Sequence, residues 1–284
     1  MLLSEIHIRD PFILLFENNY YLYGTSGDEA VGKSSGFYAY KSTDLVNWEG
    51  KKNVFSPPEG FWADRDFWAP EVHYYNGKFY MLASFKKSTG HRGTQILVSE
   101  SPLGPFREHS KGPLTPADWE CLDGTLWVED GVPYMIFCHE WTQIIDGTVC
   151  LQRLTDDLSD TVGAVKVLFR ASQSPWAKKN EKKYVTDGPF IYKLKNGELI
   201  MIWSSYFGHY AEAMLRSRSG SVKGPWEHEK RLLFSDNGGH GMIFKDLSGS
   251  IIFTLHSPNN SPLERAVLFE LEEKDNSLYV LKEK

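Results

Sequence analysis

Five segments of this 284-residue chain repeat one pattern, and that repeat constrains the fold more than any other feature. They are residues 9–26, 69–85, 122–139, 186–205 and 239–257. Each opens on a polar residue beside Gly or Pro. An apolar, β-branched or aromatic run follows, then a turn (ENN, YNG, EDG, KNG or LSG), then a second apolar run. Strand-forming residues on both sides of a short Asn/Asp/Gly turn indicate a β-hairpin. The leading polar residues are Asp10, Glu71, Asp123, Asp187 and His240, separated by 61, 52, 64 and 53 positions. That period holds about four strands, the content of a propeller blade.

The intervening segments agree. Residues 35–50, 94–109, 148–160 and 213–228 each give a strand and a polar turn, and 265–281 supplies an outer pair for the fifth unit. Three of these turns carry an aromatic: Trp48, Phe106 and Trp226. The expectation is an all-β, five-bladed β-propeller, each blade a four-stranded antiparallel sheet, in one domain spanning 1–284. No helical pattern of convincing length occurs. Residues 56–68 and 171–183 look like loop insertions.

Composition narrows the functions. Lys and Arg number 31 against 37 Asp and Glu, a formal charge of −6 with no long basic run, which argues against a nucleic-acid partner. Three cysteines (Cys121, Cys138, Cys150) without a CxxC exclude a disulfide framework and an obvious zinc site. The first 16 residues lack a basic n-region and a small-residue cleavage site, and charges interrupt their apolar run. No signal peptide and no membrane span are read there; the expectation is a cytoplasmic protein or a trimmed secreted one. Oligomeric state is not legible.

On a propeller, equivalent inner-strand starts converge at one end of the axis. Asp10, Asp123 and Asp187 would meet there. Turn chemistry explains each aspartate singly, but less well the three at equivalent inner-strand starts. Grouped carboxylates beside aromatic rings suit glycoside hydrolysis: one acid protonates the leaving oxygen, one carboxylate activates water, and a third raises the acid's pKa by repulsion. Glu140, in CHEW, is a second candidate for the proton donor, because a carboxylate in an apolar strand is costly to bury without purpose. Of the nearby rings, Trp68 and Trp141 flank motif ends and are candidate substrate walls. Phe12 is a further candidate contact, while Trp127, Trp203 and Phe190 compete for places in the core. Arg265 could clamp sugar hydroxyls, and Glu71 could reach the pocket.

These motifs resemble glycoside hydrolase family 43, inverting five-bladed propellers acting on arabinose- and xylose-containing polysaccharides. The matching residues are RDPF at Asp10, WAPEV (68–72), LDGTLWVEDG (122–131), TDGPFIYK (186–193) and GGHG (238–241), spread over essentially the whole chain. The resemblance implies Asp10 as general base, Asp123 as the residue that orients the acid, and the fourth-blade carboxylate as general acid. It implies that His240 helps hold a hydrated calcium ion at the axis, with no cofactor required for the chemistry. One departure stands out: the family's fourth-blade acid is typically Glu in EGP, and here it is Asp187 in TDGP. An uncorrected misplacement of about 1 Å costs roughly tenfold to hundredfold in rate. The implied substrates are arabinofuranosyl or xylosyl linkages, as for an arabinofuranosidase or xylosidase. The alternatives are another exo specificity such as galactosidase, a carbohydrate-binding propeller without catalysis, a scaffold propeller, and a phosphorolytic enzyme, the last disfavoured because no Arg/Lys cluster adjoins the motifs.

Overall fold

The computed structural model describes residues 1–26, 36–178 and 182–284. Five four-stranded antiparallel sheets follow one another along the chain. The first holds β1 (Ile8–Phe16), β2 (Asn19–Ser26), β3 (Phe37–Ser42) and β4 (Lys52–Phe55). The second holds β5 (Arg65–Tyr75), β6 (Lys78–Lys86), β7 (Arg92–Ser99) and β8 (Arg107–Glu108). The third holds β9 (Cys121–Glu129), β10 (Val132–His139), β11 (Thr148–Leu154) and β12 (Thr161–Arg170). The fourth holds β13 (Asp187–Lys193), β14 (Leu199–Tyr206), β15 (Tyr210–Ser217) and β16 (Glu227–His228). The fifth holds β17 (Gly239–Lys245), β18 (Ile251–Ser257), β19 (Arg265–Lys274) and β20 (Ser277–Glu283). Together they form a five-bladed β-propeller. The expected insertion at 56–68 ends early: residues 65–68 already belong to β5, where Arg65 and Trp68 pair with Lys86 and Ser84. Among the described residues, helix is confined to α1 (Trp141–Ile144) and two 3-10 turns, and no helix is long and apolar enough to cross a membrane. The loop at 27–35, whose length bears on cleft closure, lies outside the described residues.

Turn chemistry sets the inner hairpins. Glu17–Asn18, Asn76–Gly77 and Asp130–Gly131 have positive φ at both central residues. That is the two-residue turn whose twist matches the flanking strands. The strands they join are apolar on both faces, because each blade is covered by its neighbours. One core lies between blades one and two, including Phe37, Phe55, Phe67 and Phe85. Others lie between two and three (Leu82, Phe137), three and four (Ile136, Trp203), and four and five (Ile202, Phe253). The three cysteines are buried there as free thiols. Blade one is tied to blade five by a His7–Arg265 bridge and by Glu264, buried, which accepts from Arg9 Nη1 at 2.6 Å.

Every inner strand breaks its register near the start, and a residue there takes the left-handed conformation. Asp10 (φ 52°), Ala69 (47°), Asp123 (58°), Gly188 (50°) and His240 (53°) occupy this position. This corrects the alignment read from sequence. The blade-two equivalent of Asp10 is Ala69, not Glu71, and the blade-four equivalent is Gly188, not Asp187. A side chain at Gly188 would place its Cβ 2.7 Å from His240 Cδ2, so glycine is required there. Asp187 instead shares the preceding position with Arg9, Trp68 and Leu122.

Candidate active site

The bulges turn side chains from all five blades toward one pocket of about 360 Å³. Asp10, Asp123, Asp187, Glu140, Trp68, Trp141 and His240 all line it. Asp10 is held on both carboxylate oxygens. Thr25 Oγ1 donates to Oδ2 at 2.6 Å, and His240 Nδ1 lies 3.3 Å from Oδ1. Thr25 Oγ1 in turn accepts the Ala69 N–H at 2.8 Å, so the second blade's bulge orients the first blade's carboxylate. The Asp10 N–H donates to His256 Nδ1 at 3.2 Å, with His256 Nε2 facing Asn259 Oδ1 at 3.3 Å. Asp123 Oδ2 accepts the Gly188 N–H at 3.0 Å and lies 3.7 Å from His240 Nδ1. Tyr210, whose ring stacks on His256, donates its hydroxyl to Asp187 Oδ2 at 3.1 Å.

These surroundings separate the protonation states of three neighbouring carboxyls. Burial pushes Asp10 up, but His240, Arg9, His256 and the Thr25 hydroxyl outweigh it, and its pKa falls below the ordinary value. Burial dominates at Asp187; with repulsion from Asp123 it carries that carboxyl up to about 8 against His240 and Tyr210. Asp123 is raised to about 6, chiefly by burial. His240 moves oppositely: burial lowers it, but Asp10, Asp123 and Asp187 bring it to about 9. His256, deeply buried, drops to about 4 and is neutral at physiological pH.

Glu140 stands at the pocket wall just before α1, and its Oε2 accepts from Arg92 Nη1 at 2.5 Å. Arg92 also donates to Asp66 Oδ2 at 3.0 Å, and its guanidinium lies 4.2 Å from the Trp68 ring centroid. One buried arginine thus fixes both a pocket carboxylate and a pocket ring. Trp141 is faced by Lys183 Nζ at 5.0 Å.

Three expected contacts lie elsewhere. Phe12 and Glu71 stand two residues beyond their bulges, below the mouth. Phe12 packs in the core against Phe190 and His73, and Glu71 Oε2 lies 3.0 Å from His73 Nε2. Arg265 binds the carbonyls of Ser4, Pro262 and Glu264, stapling the N-terminus to blade five. The guanidinium at the pocket is Arg9. Sequence reasoning missed Arg9, Thr25, Tyr206, Tyr210 and Lys183. Arg9 was legible as the neighbour of Asp10 in RDPF; Thr25 lies near the end of the first repeated segment, and the others sit on the second and third strands of blade four or the loop before it, outside the repeated segments. Trp203, Phe190 and Trp127 pack in or against the interblade cores.

The hydrated calcium ion that the resemblance implies at His240 would draw most of its ligands from water. Calcium takes 6–8 oxygen ligands, and among the described residues no group of three or more His, Cys, Asp and Glu is placed to hold a metal. His240 Nδ1 faces two carboxylates as an ion pair, and no step below is routed through a metal.

The profile of the family described as Glycosyl hydrolases family 43 matches residues 3–273. The crystal structure of endo-arabinase from Bacteroides thetaiotaomicron VPI-5482 superposes with a TM-score of 0.89 at 40% identity, covering 98% of both chains. Extracellular endo-alpha-(1->5)-L-arabinanase 1 of Bacillus subtilis (strain 168) is 28% identical over 148 residues, 48% of this chain and 45% of that protein. The exo-beta-1,3-galactanase of Phanerochaete chrysosporium shares the fold at 18% identity and a TM-score of 0.75, covering 97% of this chain and 63% of that one. The chain covers 45%, 43% and 36% of the length of three curated relatives. With the family profile spanning nearly every blade and all five bulges feeding one carboxylate pocket, the chain belongs to glycosyl hydrolases family 43.

Proposed function

We propose that the chain is an inverting glycoside hydrolase of arabinofuranosyl, or secondarily xylosyl, linkages in plant cell-wall polysaccharides. The observation that carries this reading is the opposite displacement of Asp10 and Asp187 in one pocket. Divergent environments for neighbouring carboxyls mark acid and base. At neutral pH Asp187 holds a proton to give to the glycosidic oxygen. Asp10, ionised, takes a proton from the water that attacks the anomeric carbon from the other side. Asp123 keeps Asp187 protonated by its charge and is itself tethered by the Gly188 N–H. Arg92 needs an anionic partner at Glu140, which favours Asp187 over Glu140 as proton donor.

The arabinan-directed relatives support the first substrate class. The catalytic pocket meets a second pocket across Lys183, Val185 and Tyr206, which supports a substrate of more than one sugar unit. The test is a panel of nitrophenyl arabinofuranoside, xyloside and galactoside with arabinan and xylan, the products followed by NMR. Release of the inverted anomer is expected, and retention overturns the mechanism. Asp10→Asn abolishes hydrolysis of every substrate. Asp187→Asn spares nitrophenyl glycosides relative to polysaccharide, since a good leaving group needs little protonation; if Glu140→Gln behaves this way instead, the proton donor is misassigned.

A further inference from the structure

Beside the catalytic pocket lies a second one of about 370 Å³, within the range of ligand sites. The two share Lys183, Val185 and Tyr206 as a common ridge. The catalytic pocket carries four carboxyl side chains beside Arg9, His240 and Lys183, whereas the second is lined by Lys178, Lys182 and Lys183 with no acidic residue among the described residues that line it. All three lysines are exposed, and none makes an ion pair among the described residues, in a chain whose net charge is −6. Tyr206, 48% exposed, and Phe207 add ring surface to the wall, and Lys183 Nζ lies 5.9 Å from the Tyr206 ring centroid. The wall is anchored: Tyr184 donates its hydroxyl to the Lys178 carbonyl at 2.9 Å, and its backbone bonds Ile145 and Gly147.

We propose that this lysine-lined pocket is a binding site for an acidic sugar unit of the substrate, a uronic acid carried next to the linkage being cut. The inference rests on the hydrolase reading above and extends it to substrate charge. Ammonium groups bind a carboxylate as point charges, and aromatic surface beside them suits the apolar face of a pyranose. Inorganic phosphate would use the same charge but has no use for the rings. The shared ridge places an occupant of this pocket alongside the scissile sugar, so its binding energy is available to the catalytic step.

The probes are arabinotetraose and xylotetraose, each plain, carrying one glucuronic acid branch, and carrying that branch as its methyl ester. The ester keeps the sugar and removes the charge. Affinity is measured on Asp10→Asn by calorimetry and kcat/KM on the wild type, at low and high salt; Asp187→Asn replaces the first variant if it folds poorly. The acid form is expected to bind about tenfold more tightly than its ester at low salt, with the gap closing at high salt. Lys182→Gln and, separately, Lys178→Gln should each shrink the acid-to-ester ratio at least about threefold. Cleavage of the plain tetrasaccharides without any preference for acid over ester overturns this inference alone. Failure to cut any tetrasaccharide overturns the hydrolase reading and this inference with it. Phosphate-dependent release of a sugar phosphate assigns the lysines to phosphate and overturns the proposal.

Discussion

Glu212, on β15, is fully buried beneath the mouth. Its Oε2 accepts from Ser204 Oγ at 2.7 Å and from the Gly241 N–H at 3.2 Å, while Oε1 has no hydrogen-bond partner among the described residues. Ser204 Oγ also receives the His240 N–H at 2.6 Å, so this carboxyl underlies the fifth blade's bulge. Burial outweighs the hydrogen bonds and the nearby His240, and raises the carboxyl from 4.5 to about 8. From about pH 4.5 to about pH 8 the folded state keeps a proton that the unfolded state has lost, so stability falls as pH rises through that window. At about 1.4 kcal/mol per pH unit, this residue alone removes about 3–4 kcal/mol between about pH 5 and about pH 8. Glu212→Gln imitates the protonated acid: its carbonyl can take the Ser204 and Gly241 donors, and its NH₂ replaces an oxygen already without a partner. The variant lacks the titration, and every other group titrates equally in both proteins. Urea unfolding at about pH 5 and about pH 8 should show the stability difference shifting by about 3–4 kcal/mol in favour of the variant at the higher pH. A difference that stays constant with pH refutes the buried, protonated assignment.

The remaining predictions concern the pocket directly. The alkaline limb of kcat/KM should lie near pH 8, where Asp187 loses its proton, and Asp123→Asn should move that limb to lower pH by removing a repelling charge; a limb that does not move separates the two residues. Gly188→Ala places a Cβ 2.7 Å from His240 Cδ2 at a φ of +50°, so thermal unfolding should report a loss of at least about 1–2 kcal/mol along with reduced kcat. Arg92→Met strips the cation from Glu140 and leaves Asp66 only the more exposed Arg65, and chemical denaturation should report a loss of about 3–5 kcal/mol, with KM raised as Trp68 loses its backing. Asp187→Glu adds a methylene against the Tyr210 contact at 3.1 Å and should lower kcat roughly tenfold to hundredfold; undiminished activity would mean that the pocket has room for the longer acid.

The hairpins were legible because their signals are local: apolar runs and Asn/Asp/Gly turns act over a few residues. Asp10, Asp123 and His240 were legible because each stands at the start of such a unit. Glu71 and Asp187 were aligned with them from Pro and Gly placement, and that alignment slipped by one or two residues because a bulge leaves no compositional mark when its residue is Ala or Gly. Arg265 failed for another reason. A guanidinium reaches several ångströms, and nothing in SPNNSPLERA says that the carbonyls of the N-terminal segment will satisfy it. Lys183, Tyr206 and Tyr210 were invisible because they reach the pocket from a loop and from the second and third strands of blade four, by a convergence that only the closed ring creates. No Arg/Lys cluster adjoins the motifs in sequence, yet folding brings Lys183 to the mouth from the loop before blade four, to join Arg9, the neighbour of Asp10.

The bulge also explains how so many carboxylates crowd one mouth. In a regular strand, consecutive side chains leave on opposite faces, so an inner strand would offer the pocket one residue in two. A left-handed residue breaks that alternation. In blade one, Arg9 and Asp10 both line the pocket, and in blade three Leu122 and Asp123 do. Blade four uses the same device with the roles exchanged: Gly188 takes the left-handed turn and lends its N–H to Asp123, while the carboxylate comes from the preceding residue. Asp10 and Asp187 therefore approach from different register positions, one held by Thr25 and His240, the other accepting the Tyr210 hydroxyl. A carboxylate with a cation and a hydroxyl ionises easily, and one with a single phenol beside another carboxylate does not. On the proposed mechanism, the division of labour between base and acid is set by backbone register, two residues of the same type being made unlike by where the strand bends.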